Sequence, residues 1–227
     1  MRFMFGKKFN TVKSFTITGH SGCEKTEPNS VESIIKAYES GADITEVDVR
    51  FTKDGVPVLS HDADGKNAVT LDEAFAAAEN LGEMKLNLDI KETSYLCNIM
   101  PLAEKYSMTD RIFCTGIFEK DTAEIKKQLP DCTYYLNIGI RPAWRQNNAY
   151  FEKLCRTIKD NGAVGLNCHH GKVTKRLVSY LRKNGILVSL WTVDKKKDMK
   201  RIISLCPDNI TTRYPSELKR MVSELCK

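Results

Sequence analysis

Six residues in four separate segments carry the chemistry this sequence can support. His20 ends the run "SFTITGH"; Glu46 and Asp48 lie two apart in "ITEVDVRF"; His61 closes "VPVLSH"; Asp89 and Lys91 close "MKLNLDIK". Residues two apart on a strand point to the same face, so both spaced pairs present their side chains together. Parallel carboxylates in a partly dehydrated mouth repel each other and need a cation or a proton to stay there. With Asp89 as a third acid, the oxygen-only set suits a hard ion such as Mg²⁺ or Ca²⁺. Zinc would prefer nitrogen or sulfur, and no cysteine shares the arrangement. His20 and His61 can exchange protons near neutral pH, one with a nucleophilic hydroxyl or water and the other with a leaving oxygen. Asp62, beside His61, could equally point away and cap a turn. Lys91 offers positive charge to a transferring phosphoryl group, or else pairs structurally with Asp89. A cation, two histidines and a lysine converging on one point suit displacement at phosphorus.

That convergence requires strands that end at a common rim. The chain alternates β-branched runs with helical patterns: "SFTITGH" before "PNSVESIIKAYESG", "ITEVDVRF" before "TLDEAFAAAENLG", "MKLNLDIK" before a helix ending near "EKYS". The alternation continues through "RIFCTGIF", "CTYYLNIG", "AVGLNC", "ILVSLWTV" and "DNITT", each followed by a helical stretch. Asn29 or Ser30 caps the first helix, Gly41 ends it, and Asp54-Gly55 turns the chain into a short extended return. About eight β/α units in a length near the ~250 residues typical of the fold predict a TIM (β/α)8 barrel, with a doubly wound open sheet as the alternative. No Gly-rich phosphate loop follows the first strand, which disfavours the open sheet. A barrel places catalytic side chains at the C-terminal ends of its strands. His20, Glu46, Asp48, Asp89 and Lys91 fall there, and Trp191 ends the seventh strand.

Composition bounds the remaining possibilities. A chain of 227 residues with 41% hydrophobic and 28% charged residues reads as one globular domain over 1–227. Its eight cysteines are scattered without a CxxC pair, as small buried hydrophobes in a reducing compartment would be. The net charge of +6 comes without a basic, aromatic-interleaved stripe, so nucleic acid is not an expected partner. A membrane surface is compatible with that charge but is not indicated, and no apolar run approaches the ~20 residues of a spanning helix. The basic start "MRFMFGKKFN" lacks the apolar stretch of a secretory signal, and a cytoplasmic location is expected. Oligomeric state is not legible.

These residues resemble the glycerophosphodiester phosphodiesterase family, within the phosphatidylinositol-phospholipase-C-like superfamily, over most of the chain. The family's His-Arg-Gly and Pro-Glu-Asn-Thr correspond to "HSG" and "EPNS". Its Gly-Ala-Asp, Glu-x-Asp, Thr-x-Asp-Gly and His-Asp series runs through "GADITEVDVRFTKDGVPVLSHD". "LNLDIK" is similar to its Glu-x-Lys strand, "LWTVD" to its Trp-Thr-Val-Asn, and "ITTRYPSEL" to its closing Thr-Asp-x-Pro segment. The resemblance implies a TIM barrel that cleaves a small-molecule glycerophosphodiester to glycerol 3-phosphate and an alcohol through a cyclic phosphate. It implies His20 and His61 as the acid/base pair, Glu46, Asp48 and Asp89 as ligands of Mg²⁺ or Ca²⁺, and Lys91 as a phosphate contact.

The sequence departs from the family pattern at Ser21 for arginine, Pro28 for glutamate and Asp89 for glutamate. Ser21 could donate one hydrogen bond to substrate, and Lys25 could swing in from the same loop as a point charge. On that view Ser21→Arg should raise turnover. Trp191 could form a platform for the glycerol or head group, or pack as an ordinary aromatic. His169-His170 and Arg141 with Arg145 follow later strands as secondary substrate-contact candidates, and Cys23 and Cys168 lie near the mouth without an activation argument. A very short insertion after the second strand implies an open mouth. The other functions compatible with the set are a lysophospholipid or sphingolipid phosphodiesterase and a weakly active phosphodiester-binding barrel.

Overall fold

The computed structural model describes residues 15–63 and 68–225; the basic start and residues 64–67 lie outside the described residues. Each β-branched run forms a strand and each capped run a helix. The order is β1 (Thr16–Gly19), α1 (Val31–Glu39), β2 (Ile44–Phe51), β3 (Pro57–Leu59), α2 (Leu71–Glu79), β4 (Lys85–Ile90), α3 (Ile99–Lys105), β5 (Ile112–Ile117) and α4 (Thr122–Gln128). It continues with β6 (Tyr134–Asn137), α5 (Asn148–Asp160), β7 (Gly165–His169), α6 (Lys175–Lys183), β8 (Leu187–Trp191), α7 (Lys196–Leu205), β9 (Asn209–Thr212) and α8 (Pro215–Leu225).

Eight of the strands pair in parallel, and β1 closes the ring by pairing with both β2 and β9. The result is the TIM barrel expected from the unit count. The extra strand β3 returns antiparallel to β2, with Val49 opposite Leu59. That return carries His61 back to the C-terminal rim. Only residues 60–70 separate β3 from α2, so the insertion is as short as expected.

Local chemistry sets the helix starts. Ser30, not Asn29, caps α1 by accepting from Ser33 N at 3.0 Å. Thr70 and Glu73 form a reciprocal capping box on α2. Asn147 and Thr174 cap α5 and α6.

Strand parity divides the barrel into two environments. Val47, Val49, Leu86, Leu88, Leu166, Val188, Leu190 and Ile210 are buried aliphatics on one parity. Their alternating neighbours Glu46, Asp48, Asn87, Asp89, Asn167 and Thr211 line a central cavity instead. Apolar side chains therefore meet the helices while polar ones face inward. Gly19 shows how closely a helix approaches, since a Cβ there would lie 2.8 Å from Ala37 Cβ on α1.

The polar interior satisfies itself. Thr115 Oγ1 and Asn87 Oδ1 lie 2.9 Å apart, Asn167 Nδ2 donates to Asn137 Oδ1 at 3.0 Å, and Thr18 Oγ1 donates to Asn209 Oδ1 at 2.8 Å. Such a belt stabilises little beyond its own desolvation cost, but it fixes the strands that carry the site. Among the described residues no helix is long and apolar enough to cross a membrane. Of the described cysteines, Cys23, Cys114, Cys132, Cys155 and Cys168 are buried.

Candidate active site

A cavity of about 940 Å³ opens at the C-terminal ends of the strands. His20, Glu46, Asp48, His61, Asp89, Lys91 and Trp191 all line it, so the residues singled out on five segments do converge. Ser21 and Lys25 are not part of its wall.

The acids come from adjacent parallel strands held in register, with Glu46 opposite Asn87 and Asp48 opposite Asp89. One oxygen each of Glu46, Asp48 and Asp89 can be chosen so that all lie within 4.8 Å of one another. Burial pushes the Glu46 carboxyl up to about 8, and the negative charges of Asp48 and Asp89 add to the effect. Burial also opposes ionisation of Asp48, but hydrogen bonds from Lys91 and Asn29 outweigh it and hold that carboxyl below its ordinary range.

Lys91 accounts for the difference between the two acids. Its Nζ lies 2.7 Å from Asp48 Oδ1 and also pairs with Asp89 Oδ2. Burial works against its charge, yet the two carboxylates overcome this and raise its pKa. Thr115 donates to the other oxygen of Asp89 at 2.9 Å. Three acids against one lysine leave a surplus of negative charge in an oxygen-only site. That donor chemistry fits a hard divalent cation.

Hydrogen bonds assign the histidine tautomers. His20 Nδ1 lies 2.9 Å from the carbonyl oxygen of Ser21, which can only accept, so Nδ1 carries the proton and Nε2 keeps a free lone pair. Burial lowers the His20 pKa, and the nearby Arg213 charge adds to the lowering. His61 stands largely in solvent at the cavity edge and donates through Nδ1 to Asp62 Oδ1 at 2.9 Å. Asp62 thus orients His61, although the alternative of a turn cap had equal standing in the sequence.

Two expected substrate contacts, Ser21 and Lys25, lie apart from the cavity wall. Ser21 is only 3% exposed, and its hydroxyl is occupied, donating to Asn29 Oδ1 at 3.1 Å and accepting from Asn29 N at 2.6 Å. Its backbone N–H holds Glu46 Oε2 at 2.9 Å. Asn29, in the left-handed region at φ 56°, passes this support on by donating to Asp48 Oδ2 at 2.9 Å. Ser21 therefore orients the acids from behind. Lys25 is exposed on the same loop, outside the cavity wall, as is Pro28.

The remaining candidates divide. His169 lines the cavity and meets Trp191 edge-on, ring centroids 5.8 Å apart. His170 is buried behind it, accepting from Arg201 Nη2 at 3.0 Å. Arg141 and Arg145 lie over the rings of Tyr150 and Trp144 rather than in the cavity. Burial pushes the thiols of Cys23 to about 11 and Cys168 to about 12, which leaves both inert.

Sequence reasoning missed Asn29, Thr115, Lys120 and Arg213. Arg213 carried a visible signal, because it directly follows the last barrel strand just as His20 follows the first.

Comparison with known proteins agrees with this geometry. Residues 20–103, which hold every acid and both histidines assigned above, match the model of the glycerophosphoryl diester phosphodiesterase family. A glycerophosphodiester phosphodiesterase of Caldanaerobacter subterraneus subsp. tengcongensis is 25% identical over 91% of this chain and 97% of its own length. The chain is similar to glycerophosphodiester phosphodiesterases along nearly its whole length, and residues 20–103 carry the match to the family model. Solved structures agree on the fold. The glycerophosphodiester phosphodiesterase of Agrobacterium tumefaciens superposes with a TM-score of 0.74 at 14% identity, covering 92% of this chain and 100% of that one. A phosphodiesterase from Oleispira antarctica, solved with its product sn-glycerol 3-phosphate, superposes with a TM-score of 0.72 at 16% identity over 92% and 96% of the two chains.

Proposed function

We propose that this phosphoric diester hydrolase cleaves glycerophosphodiesters to glycerol 3-phosphate and an alcohol, with a divalent cation and with His20 and His61 as its proton-transfer pair. The observation that carries the reading is the convergence of both histidines, three acids and Lys91 on one cavity. The glycerol 3-phosphate bound to the Oleispira relative supports the same substrate class.

His20 Nε2, unprotonated and partly buried, takes the proton from the glycerol hydroxyl next to the phosphate. That oxygen forms a bond to phosphorus as the bond to the head-group oxygen breaks. His61 Nε2, held outward by the Asp62 bond, gives a proton to the departing alcohol. Water then opens the cyclic phosphate by the reverse proton movements, releasing glycerol 3-phosphate. Glu46, Asp48 and Asp89 would hold the cation, Mg²⁺ or Ca²⁺ by its oxygen-only donors, which supplies positive charge beside the phosphoryl oxygens. Lys91 helps keep Asp48 ionised and adds charge at that edge. Trp191, whose Nε1 is buried without a partner among the described residues, walls the substrate side of the cavity.

The test is release of glycerol 3-phosphate from glycerophosphocholine, glycerophosphoethanolamine and glycerophosphoglycerol, with added Mg²⁺, Ca²⁺ or EDTA. Cation-dependent release from any of the three is the expected result. No release from folded, cation-binding protein would overturn it. Release from lysolipids alone would establish the lysophospholipid alternative.

A further inference from the structure

Positive charge on the cavity wall comes from Lys91, Lys120 and Arg213. They are not equivalent. Lys91 is committed to Asp48 and Asp89, so little of its charge is left for a ligand. Lys120 is an exposed lysine between Glu119 and Asp121, on a flexible stem with no partner that fixes it among the described residues. Arg213 is built into place.

The barrel closure puts Arg213 beside His20. Gly19 of β1 is paired with Thr212 of β9, and His20 N donates to Thr212 O at 2.9 Å. The next residue on each strand is therefore at the same level of the rim. Asp194, from the loop after β8, then fixes the arginine. Its Oδ1 accepts from Arg213 N at 2.8 Å and from Thr212 Oγ1 at 3.3 Å, and its Oδ2 accepts from Arg213 Nη1 at 3.0 Å. The carbonyl of Arg213 is tied to the β1 loop by Glu24 N at 2.8 Å. Nε and the other Nη have no hydrogen-bond partner among the described residues, and the residue lines the cavity. A guanidinium held this way pays little rotamer entropy on meeting a planar or tetrahedral oxyanion.

Strand order gives the arrangement its meaning. Around the rim, β9 with Arg213 is followed by β1 with His20, then β2 with Glu46 and Asp48, then β4 with Asp89 and Lys91. A phosphoryl group in front of His20 has the acid cluster on one side and the guanidinium on the other.

We propose that Arg213 is the residue that receives the phosphoryl oxygens in this protein, supplying the fork that residue 21 lacks, with Asp194 as the positioning residue that holds it. The proposal rests on the phosphodiesterase reading of the same cavity.

The test compares wild type, Arg213→Ala, Arg213→Lys, Arg213→Gln and Asp194→Asn in two measurements. Calorimetry reads glycerol 3-phosphate affinity, with glycerol as the uncharged control, and steady-state kinetics reads glycerophosphodiester turnover. Arg213→Ala and Arg213→Gln should weaken glycerol 3-phosphate by about tenfold or more and lower kcat/KM by about 10²–10³, the usual cost of one lost donor to developing charge. Arg213→Lys should restore part of the affinity and less of kcat, because a point charge does not reproduce the fork. Asp194→Asn should mainly raise KM at a lightly reduced kcat. Thermal melts near wild type for any one of the Arg213 variants keep the comparison valid, and the exposed side chain makes this the expected behaviour. Wild-type affinity and turnover in Arg213→Ala or Arg213→Gln would overturn the inference while leaving the proposed reaction intact. Absence of turnover in wild type, with glycerol 3-phosphate binding still lost in Arg213→Ala, would overturn the reaction and uphold the anion site.

Discussion

Glu46 can be neutralised by either a proton or a cation, and that competition makes a quantitative prediction. Its carboxyl is buried beside Asp48 and Asp89 and is pushed up to about 8. A divalent ion that takes Glu46 as a ligand must displace that proton, so binding releases protons and strengthens with pH. Near pH 6 only about one molecule in a hundred has Glu46 ionised, against about half near pH 8. Affinity should therefore rise by about 50-fold between those conditions, or about 2.3 kcal/mol, and level off above them. Calorimetric titration with Mg²⁺ or Ca²⁺ in buffers of different ionisation enthalpy reads both quantities. Close to one proton should leave per ion near pH 6, falling toward half a proton near pH 8. Glu46→Gln, which has no proton to lose, should bind weakly with a much flatter pH profile.

The same carboxyl sets a stability trend in the absence of added ion. Its folded pKa lies above the ordinary 4.5, so the folded state keeps a proton that the unfolded chain has released. The stabilisation is fully present below about 4.5 and is lost as pH rises through about 8. An ion at about 100 times its Kd would add about 2.7 kcal/mol, worth roughly 5–11 °C in Tm for a domain of this size. Ion affinity that stays flat from pH 6 to pH 8, with no proton release, would refute this account. Glu46 would then be either ionised already or not a ligand.

Further outcomes follow from the same geometry. His20→Asn and His61→Asn should each lower turnover by about 10²–10⁴ with unchanged circular dichroism; a near-wild-type rate in either removes that residue from the proton-transfer pair. Because burial lowers His20 from its ordinary 6.5, the acid limb of kcat/KM should fall below that pH, and a limb above it would argue that another group is the base. Ser21→Arg should destabilise by about 1–3 kcal/mol, as overpacking does, rather than raise turnover as the sequence alone suggested; denaturant melts and the glycerophosphodiester assay read the two effects. Gly116→Ala should cost about 1–3 kcal/mol and weaken ion binding, since Gly116 has φ 76° and a Cβ would lie 2.4 Å from Ile90 O and 2.8 Å from Asp89 Oδ1. An unchanged melting temperature would show that this irregularity in β5 relaxes freely.

The barrel and its acids were legible because their signals are local. Strand parity alone puts Glu46 with Asp48 and Asp89 with Lys91, and caps such as Ser30 and Thr70 mark helix starts within a few residues. What escaped depends on contacts made across the chain. Ser21 is buried because Asn29 turns back in a left-handed conformation and claims its hydroxyl, eight residues away. Arg213 reaches His20 only because β9 closes on β1, a pairing between opposite ends of the barrel sequence. The polar belt of Asn87, Thr115, Asn137 and Asn167 looked like ordinary strand alternation, since period two does not say which face is the interior.

The departures at the first loop make sense once charge and geometry are considered separately. An arginine at position 21 would need room that the packed hydroxyl of Ser21 does not leave, since residue 21 is 3% exposed. What Ser21 retains is a scaffold role: its N–H orients Glu46, and through Asn29 it orients Asp48. Two of the three acids thus depend on one small buried residue for their aim. Positive charge at the rim comes instead from Arg213, one strand away and fixed by an acid at 194. Separating the two tasks means that loss of Ser21 packing should disturb the acid cluster, while loss of Arg213 should leave it undisturbed. Ser21→Ala should therefore weaken ion binding with glycerol 3-phosphate affinity in EDTA preserved, and Arg213→Ala should do the reverse. Calorimetry on the two variants separates these results, and a shared loss of both ligands would show that the two halves of the rim act as one unit.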